Sequence, residues 1–471
     1  MMKKLLFMAM VMALPTMSRA EDIIQVVPSN TTAGVTEADE QYLSVNMANT
    51  SADIANLQFD ILLPEGMRLL EEFATEEGDK IPHSVGRGGR ITWKFTISYA
   101  QLSNGWYRIL FTPVDLTPIE ASEAGELLRL YYETDPNMAP GVYPVYIDGT
   151  NLDITVTEHI QPGKSVSYVV IGDETPLDKD AELDFSSWEG YMPSWVCESL
   201  SDDLADNTSL TSVDLTGLTG IGGKPALPGN ALLYVSADTE AANALAGESN
   251  VVVTDGTTQT CEQLILTDGK PFATAKTFTA STATYQRSMN NYATLVLPYE
   301  TQIPEGHKAY QVTGISDNEA VLNELSGTIP AMTPVLMETA GTDVQYVGKD
   351  VEVTHQGETS DAYMIGKLTT GEYATPGTYV LQTNVGVTSF KRVPDNITDY
   401  PLLPFRAYLV APGNGANVLG LSFDDTSAVN SVKETDFIRV TDLNGIGRKG
   451  LEKGINIVKR ADGQTVKVLV K

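Results

Sequence analysis

From Ala55 to Gly66 the chain reads ANLQFDILLPEG, and its apolar side chains fall on every second position. Ala55, Leu57, Phe59, Ile61 and Leu63 share one side, while Asn56, Gln58 and Asp60 share the other. A period of two predicts a half-buried β-strand, because successive side chains leave opposite faces of the pleat. Pro64-Glu65-Gly66 ends it, since proline cannot feed a ladder and glycine accepts a turn. The same grammar predicts strands over 43–47, 91–97, 107–111, 127–132, 143–147 and 165–171. Gly86-Arg87-Gly88-Gly89, Ser103-Asn104-Gly105 and Asp135-Pro136-Asn137 supply turns between them. Short strands with regular turn signals predict a β-sandwich over residues 21–172.

The next stretches differ in texture. Residues 173–185, with Asp178, Asp180, Glu182 and Asp184, read as a solvated acidic linker. An EF-hand loop would need glycine where Leu183 stands. Leu210, Val213, Leu215, Leu218 and Ile221 fit one turn of a leucine-rich repeat. A single turn cannot bury its own face, so the expectation is a cap on the following domain and not a solenoid. Trp188, Tyr191 and Trp195 then read as a hydrophobic lid on that cap. From 231 to 424 strands return, at 231–235, 250–253, 277–285, 293–297, 335–338, 377–382, 407–410 and 418–423. One short helix is predicted over 239–246, with Asp238 as N-cap and Gly247 at the left-handed C-terminal position. The fold class is therefore mainly β and multi-domain, with residues 186–424 as cap plus β-sandwich and 430–471 as a small separate β-domain.

Composition narrows the setting. A chain of 471 residues is long for one core and 42% hydrophobic, which suits several globular domains. Its 31 basic residues face 61 acidic ones, a net charge of −30. Such a field repels phosphate backbones, so nucleic acid is not an expected partner. Residues 1–20 read as a signal peptide: Lys3 and Lys4, an apolar run over 5–14, then Ser18-Arg19-Ala20 as a cleavage site. No later run reaches the ~20 apolar residues of a membrane helix. Export makes Cys197 and Cys261 either a bridge, contributing on the order of 4 kcal/mol, or two buried thiols.

Four resemblances attach to these residues. ANLQFDILLPEGMRL, GWYRILFTPVD, GELLRLYYE and GVYPVYIDG, in that order, resemble the cohesin-like branch of the carbohydrate-binding-module superfamily. The resemblance implies a jelly-roll sandwich that docks a partner module or holds glycan on a flat sheet, without catalytic residues. DNTSLTSVDLTGLTGIGG followed by NALLYV resembles leucine-rich, fibronectin-binding surface proteins of bacteria. ATLVLPYETQIPEG and GTIPAMTPVLMETAG resemble a β-sandwich of secreted proteins from bacteria with type IX secretion. The tail carries Asp442-Leu443-Asn444-Gly445, Lys453-Gly454 and Lys467-Val468-Leu469-Val470-Lys471. It resembles the type IX C-terminal sorting domain, departing from it at Ile446-Gly447 and Asn456. That resemblance implies recognition by an outer-membrane secretion machinery and release or attachment at the cell surface.

Candidate chemistry is sparse. His83, His159, His307 and His355 are too scattered for a short metal motif, and no cofactor is implied. Residues 217–224 have the glycines and lysine of a phosphate loop, but Lys224 comes one place late and Pro225 replaces the Ser or Thr. Alternation places Trp93 in phase with Ile91 and Phe95, hence in the core. Trp106 and Arg108 fall out of phase with Tyr107, Ile109 and Phe111, and Tyr146 with Val145 and Ile147. These three are the candidate binding residues, for sugar stacking or a protein hot spot. The bland alternative is that Trp106 starts a strand beside Gly105 and packs under a loop. Arg87 and Arg90 read either as facing an acidic partner or as a solubilising hairpin tip.

The functional expectation is a non-catalytic secreted or surface protein binding glycan or a partner protein. An adhesin touching host proteins through its middle region is the alternative. A polysaccharide-acting enzyme component comes third, since two carboxylates would suffice for it.

Overall fold

The computed structural model describes residues 23–470 except 35–40, 51, 71–72, 75–79, 82–84, 92, 116, 150–162, 174, 340–342, 355–357, 361–362, 371–372, 399, 424–436, 443–444, 449–450, 452 and 461–464. The expected signal peptide, His83, His159, His355, Leu443, Asn444 and Lys471 lie outside the described residues. The chain is mainly β and divides into two compact units, one running to Pro228 and including Leu232–Thr258, the other Gly229–Ala231 and Gln259 onward.

The first unit opens as a two-sheet sandwich. One sheet runs Ile23–Val26, Tyr42–Asn49, Ser122–Thr134, Met67–Leu69, with Val85–Arg87 also paired to Ser122–Thr134. The other contains Lys164–Ile171, Gly141–Asp148, Leu57–Leu62, Tyr107–Pro113 and Phe95–Gln101, in that order. Leu57, Phe59 and Ile61 are buried as their alternation requires, and they pair antiparallel with Phe111, Ile109 and Tyr107. Phe59 and Phe111 stack at 6.2 Å between centroids.

The expected strand over 91–97 starts later, at Phe95, and Trp93 is 78% exposed. Trp93 and Lys94 form a turn, so the core phase of Phe95 does not extend back to Trp93. Arg90 is not a solubilising tip. Its guanidinium donates to Met47 O and Asn49 Oδ1 at 2.6 Å and to Glu120 O at 2.7 Å. Arg87 likewise donates to Phe95 O at 2.6 Å.

Residues 173–185 are not a solvated linker. Pro176–Lys179 form a helical turn, whose Asp178 accepts from Thr175 N and Oγ1 at 3.0 Å. Glu182–Asp184 then pair parallel with Ser212–Asp214, which pair parallel with Leu232–Ser236, and these with Val251–Thr254. The register aligns Leu183, Val213, Leu233 and Val251, all buried. A second parallel ladder runs from Lys164–Ile171 through Gly190–Met192 to Leu218–Ile221. The leucine-rich turn is therefore one of several stacked coils and not a lone cap. Each coil covers its neighbour's apolar face, which removes the objection that one turn cannot bury itself. Asp184 and Asp214 stand in register, and each accepts from the backbone N–H two residues on, at 2.9 Å. At the corner, a Cβ on Gly217 would stand 2.2 Å from both Ser186 O and Trp188 O, and only glycine lets the coils stack this closely. Of the glycines of the apparent phosphate loop, Gly217 is this corner residue, Gly220 lies in the strand Leu218–Ile221, and Gly222 and Gly223 form the bend after it.

The predicted helix is Glu240–Ala244, with Thr239 as N-cap, accepting from Ala242 N. Asp238 cannot serve because its φ is 58°, whereas a cap residue is extended.

In the second unit, Gln259–Thr267 lies parallel to Phe278–Ser288, which pairs antiparallel with Asp343–Val353. A ten-stranded sheet from Tyr292–Leu295 to Glu358–Ser360 holds a core around Tyr310, Tyr379, Phe390 and Leu409. The tail forms its own antiparallel sheet in the order Gly447–Arg448, Phe437–Thr441, Gly454–Arg460, Thr465–Val470.

Cys197 and Cys261 are both buried thiols, the second of the two alternatives. Cys197 sits on the inner side of the helix Ser194–Leu204, where burial pushes its thiol up to about 12. Among the described residues no helix is long and apolar enough to cross a membrane.

Candidate functional site

The strands Tyr107–Pro113, Leu57–Leu62 and Gly141–Asp148 bury one face in the sandwich core. Their other face carries the out-of-phase residues. Arg108 stands opposite Asp60, and Asp60 opposite Asp148. One step along, Tyr146 stands opposite Leu62 and, on its other side, Val166. Trp106 immediately precedes the strand that carries Arg108. All three candidates therefore belong to one outward face. Trp106 and Tyr146 are half-buried, short of the full exposure of a free platform.

The residue that joins them is Lys164, which sequence reading missed. Its ammonium lies 4.3 Å from the centroid of the Tyr146 ring and 5.9 Å from that of Trp106, both within cation–π reach. It also pairs with Glu189 at 2.8 Å. Lys164 opens a strand that is otherwise buried, Ser165 and Ser167 included, and only its place before that run signalled a rim position. The hydrogen bond and charge of Lys164 hold the Glu189 carboxyl below its usual range. Burial pushes the Tyr146 phenol up, and its hydroxyl donates to Ser187 O at 3.3 Å.

Arg108 is committed as well. Its Nε and Nη2 each donate to Asp60 at 2.8 Å, a bidentate pair that raises its pKa. With Asp60 only 9% exposed, the fork fixes the guanidinium plane on the sheet. Along the same face toward Lys164–Ile171, the ring of Trp188 covers Tyr168 at 5.8 Å and stacks on Phe185 at 4.2 Å. Tyr168 reaches Asp203 at 2.7 Å. Trp188 is thus a lid over Tyr168 of the sandwich, where the expected lid of Trp188, Tyr191 and Trp195 was over the leucine-rich cap, and the face beyond it, over Tyr146 and Trp106, is less covered.

In the tail, Asp442 and Gly445, two of the residues that carry the resemblance to a sorting domain, are joined by a backbone hydrogen bond at 3.0 Å. Asp442 Oδ1 accepts from Ile446 N at 3.0 Å, Gly445 has φ +80°, and Arg448 pairs with Asp442 at 3.2 Å. Among the described residues no group of three or more His, Cys, Asp and Glu side chains could hold a metal ion.

No protein-family model matches the chain, and no curated protein matches it. Solved structures do show a likeness, and the ones below are cohesins. The seventh ScaB type I cohesin from Pseudobacteroides cellulosolvens is 17% identical, covering 33% of this chain and 94% of its own, with a TM-score of 0.23. CaCohA2 from Clostridium acetobutylicum is 15% identical over 33% and 95%, with a TM-score of 0.24. The non-cellulosomal cohesin from Archaeoglobus fulgidus is 11% identical over 33% and 93%, with a TM-score of 0.22. A third of this chain is thus similar to nearly the whole of each of these cohesins.

Proposed function

We propose that the N-terminal sandwich is a non-catalytic binding module of an exported or surface-displayed protein, and that its outward sheet face docks a partner protein. The observation that carries this reading is Lys164 lying over both aromatic rings. A sugar stacking on either ring would have to displace an ammonium that Glu189 holds. A protein surface meets instead aromatic edges, a fixed arginine fork and charges of both signs, the composition of an interface hot spot. The basic and apolar segment at 1–20, together with the tail and its Asp442–Arg448 turn, supports export and sorting to the cell surface.

The test uses the full-length protein as bait against surface and secreted proteins, with Trp106→Ala and Lys164→Glu as paired variants. We expect a retained partner whose affinity falls at least tenfold in each. Binding to a glycan array that Trp106→Ala abolishes and Lys164→Ala improves would sink the protein-docking reading in favour of glycan.

A further inference from the structure

The second unit contains a cluster of charge with an unequal count. Asp268 follows the strand Gln259–Thr267, Tyr285 and Arg287 lie on Phe278–Ser288, and Arg406 opens Arg406–Leu409. Arg406 donates both terminal nitrogens to Asp268, at 2.7 and 2.9 Å. Tyr285 donates to the same carboxylate at 2.5 Å. Burial acts against the charge of Asp268, yet the hydrogen bonds from Arg406 and Tyr285 hold its carboxyl below the usual range.

Arg287 has no such partner. Among the described residues its one hydrogen bond is to Thr294 O, at 2.7 Å, and no carboxylate stands within ion-pair distance. A guanidinium offers five N–H donors, so most of its donors are unused by the protein. Burial, and after it the charge of Arg406, disfavours its charged form. Asp268 attracts Arg287 without touching it and is already held by Arg406; leaving a partly buried cation without a carboxylate of its own is costly, and this chain has 61 acidic residues from which to supply one. Both arginines line a pocket of about 270 Å³, whose wall includes Tyr292, Tyr400, Leu381 and Leu402. That is near the lower end of small-molecule sites.

We propose that this pocket is a binding site for a ligand bearing one carboxylate, which pairs with Arg287 while the apolar wall of Tyr400, Leu381 and Leu402 takes its body. Two guanidiniums against one aspartate leave a single positive charge, which a monoanion balances and a neutral ligand does not. The planar fork of Arg287 matches a carboxylate in geometry as well as in charge. Such a group occurs on an acidic sugar and at a peptide C-terminus, and the test separates the two.

Calorimetric titration of the full-length protein compares D-glucuronate with D-glucose, and an acetylated dipeptide acid with its C-terminal amide. We expect one acid to bind at least tenfold more tightly than its neutral counterpart, and the pair in which this occurs identifies the source. Arg287→Gln should abolish that preference, and Arg287→Lys, which keeps charge but loses the fork, should reduce it. A folded wild-type protein that prefers neither acid overturns the proposal, as does a preference that survives in Arg287→Gln. If either variant fails to fold, the wild-type acid-to-neutral ratio alone still decides.

Discussion

Replacing Arg90 by Met tests whether a residue that looked like part of a surface hairpin is a clamp between strands. Three acceptors lie within 2.7 Å of its guanidinium, Met47 O, Asn49 Oδ1 and Glu120 O, with Glu123 O a longer fourth at 3.5 Å. Asn49 is itself buried, and its amide holds Ala52 O at 2.7 Å. Methionine keeps much of the apolar stem and removes all the donors. Hydrogen bonds with a charged partner contribute ~1.5–3 kcal/mol each. The guanidinium also loses solvation on burial, which lowers its pKa, and the variant recovers that cost. Some acceptors regain water, so the net loss should be about 3 kcal/mol and not the sum of three bonds. For a unit of this size each kcal/mol moves the midpoint by about 2–4 °C, giving a fall of about 6–12 °C. Differential scanning calorimetry of the full chain measures it. Phe59→Ala, expected to cost about 3–5 kcal/mol in the same core, marks which transition belongs to the sandwich. A fall below about 2 °C in that transition would refute the clamp.

Two further outcomes follow from the coils. Gly217→Ala places a methyl against two carbonyl oxygens and should cost on the order of 3 kcal/mol, whereas Gly223→Ala, with nothing within 4 Å, should be nearly neutral; urea midpoints of the two variants compare them directly. Burial, opposed by the Tyr168 hydrogen bond and reinforced by the charges of Asp202 and Asp178, raises the pKa of Asp203. A carboxyl raised on folding contributes stability that is fully present below its unfolded pKa, ~3.9, and is lost as pH rises through the folded value. Asp203→Asn should therefore raise the melting midpoint at pH 8, with the gain shrinking toward pH 4; an equal effect at both pH values would contradict it.

The sandwich was legible because its strands carry both signals at once, a period of two and glycine or proline turns. Leu57, Phe59, Ile61, Tyr107, Ile109 and Phe111 are all buried as that period requires. The coils were harder to read because their strands are short: Glu182–Asp184 and Ser212–Asp214 each bury one side chain, too few for a period to show. A repeat was nonetheless present, Leu183-Asp184-Phe185-Ser186 against Val213-Asp214-Leu215-Thr216. The acidic look of 173–185 hid it, because Asp184 reads as solvated while it is tying a corner. At the candidate face, phase alone brought Trp106, Arg108 and Tyr146 to one side of one sheet. It could not supply Lys164, whose contacts depend on which strand lies beside Tyr146. Trp93 failed for a local reason, since phase has meaning only inside a strand.

The strand Lys164–Ile171 pairs antiparallel with Gly141–Asp148 on one edge and parallel with Gly190–Met192 on the other. One face of it, with Val169 and Ile171, belongs to the sandwich core, while Tyr168 on the opposite face lies under Trp188. A module cut at residue 172 would bare Tyr168 and open the strand edge at Ser165, the end that Ser29–Thr31 does not cover. Recombination that moved this sandwich between proteins would have to carry the first coils with it, to about residue 221. The folding cassette is thus longer than the sandwich, and gene fusions that respect only the sandwich's outline would leave the Tyr168 ring without its cover.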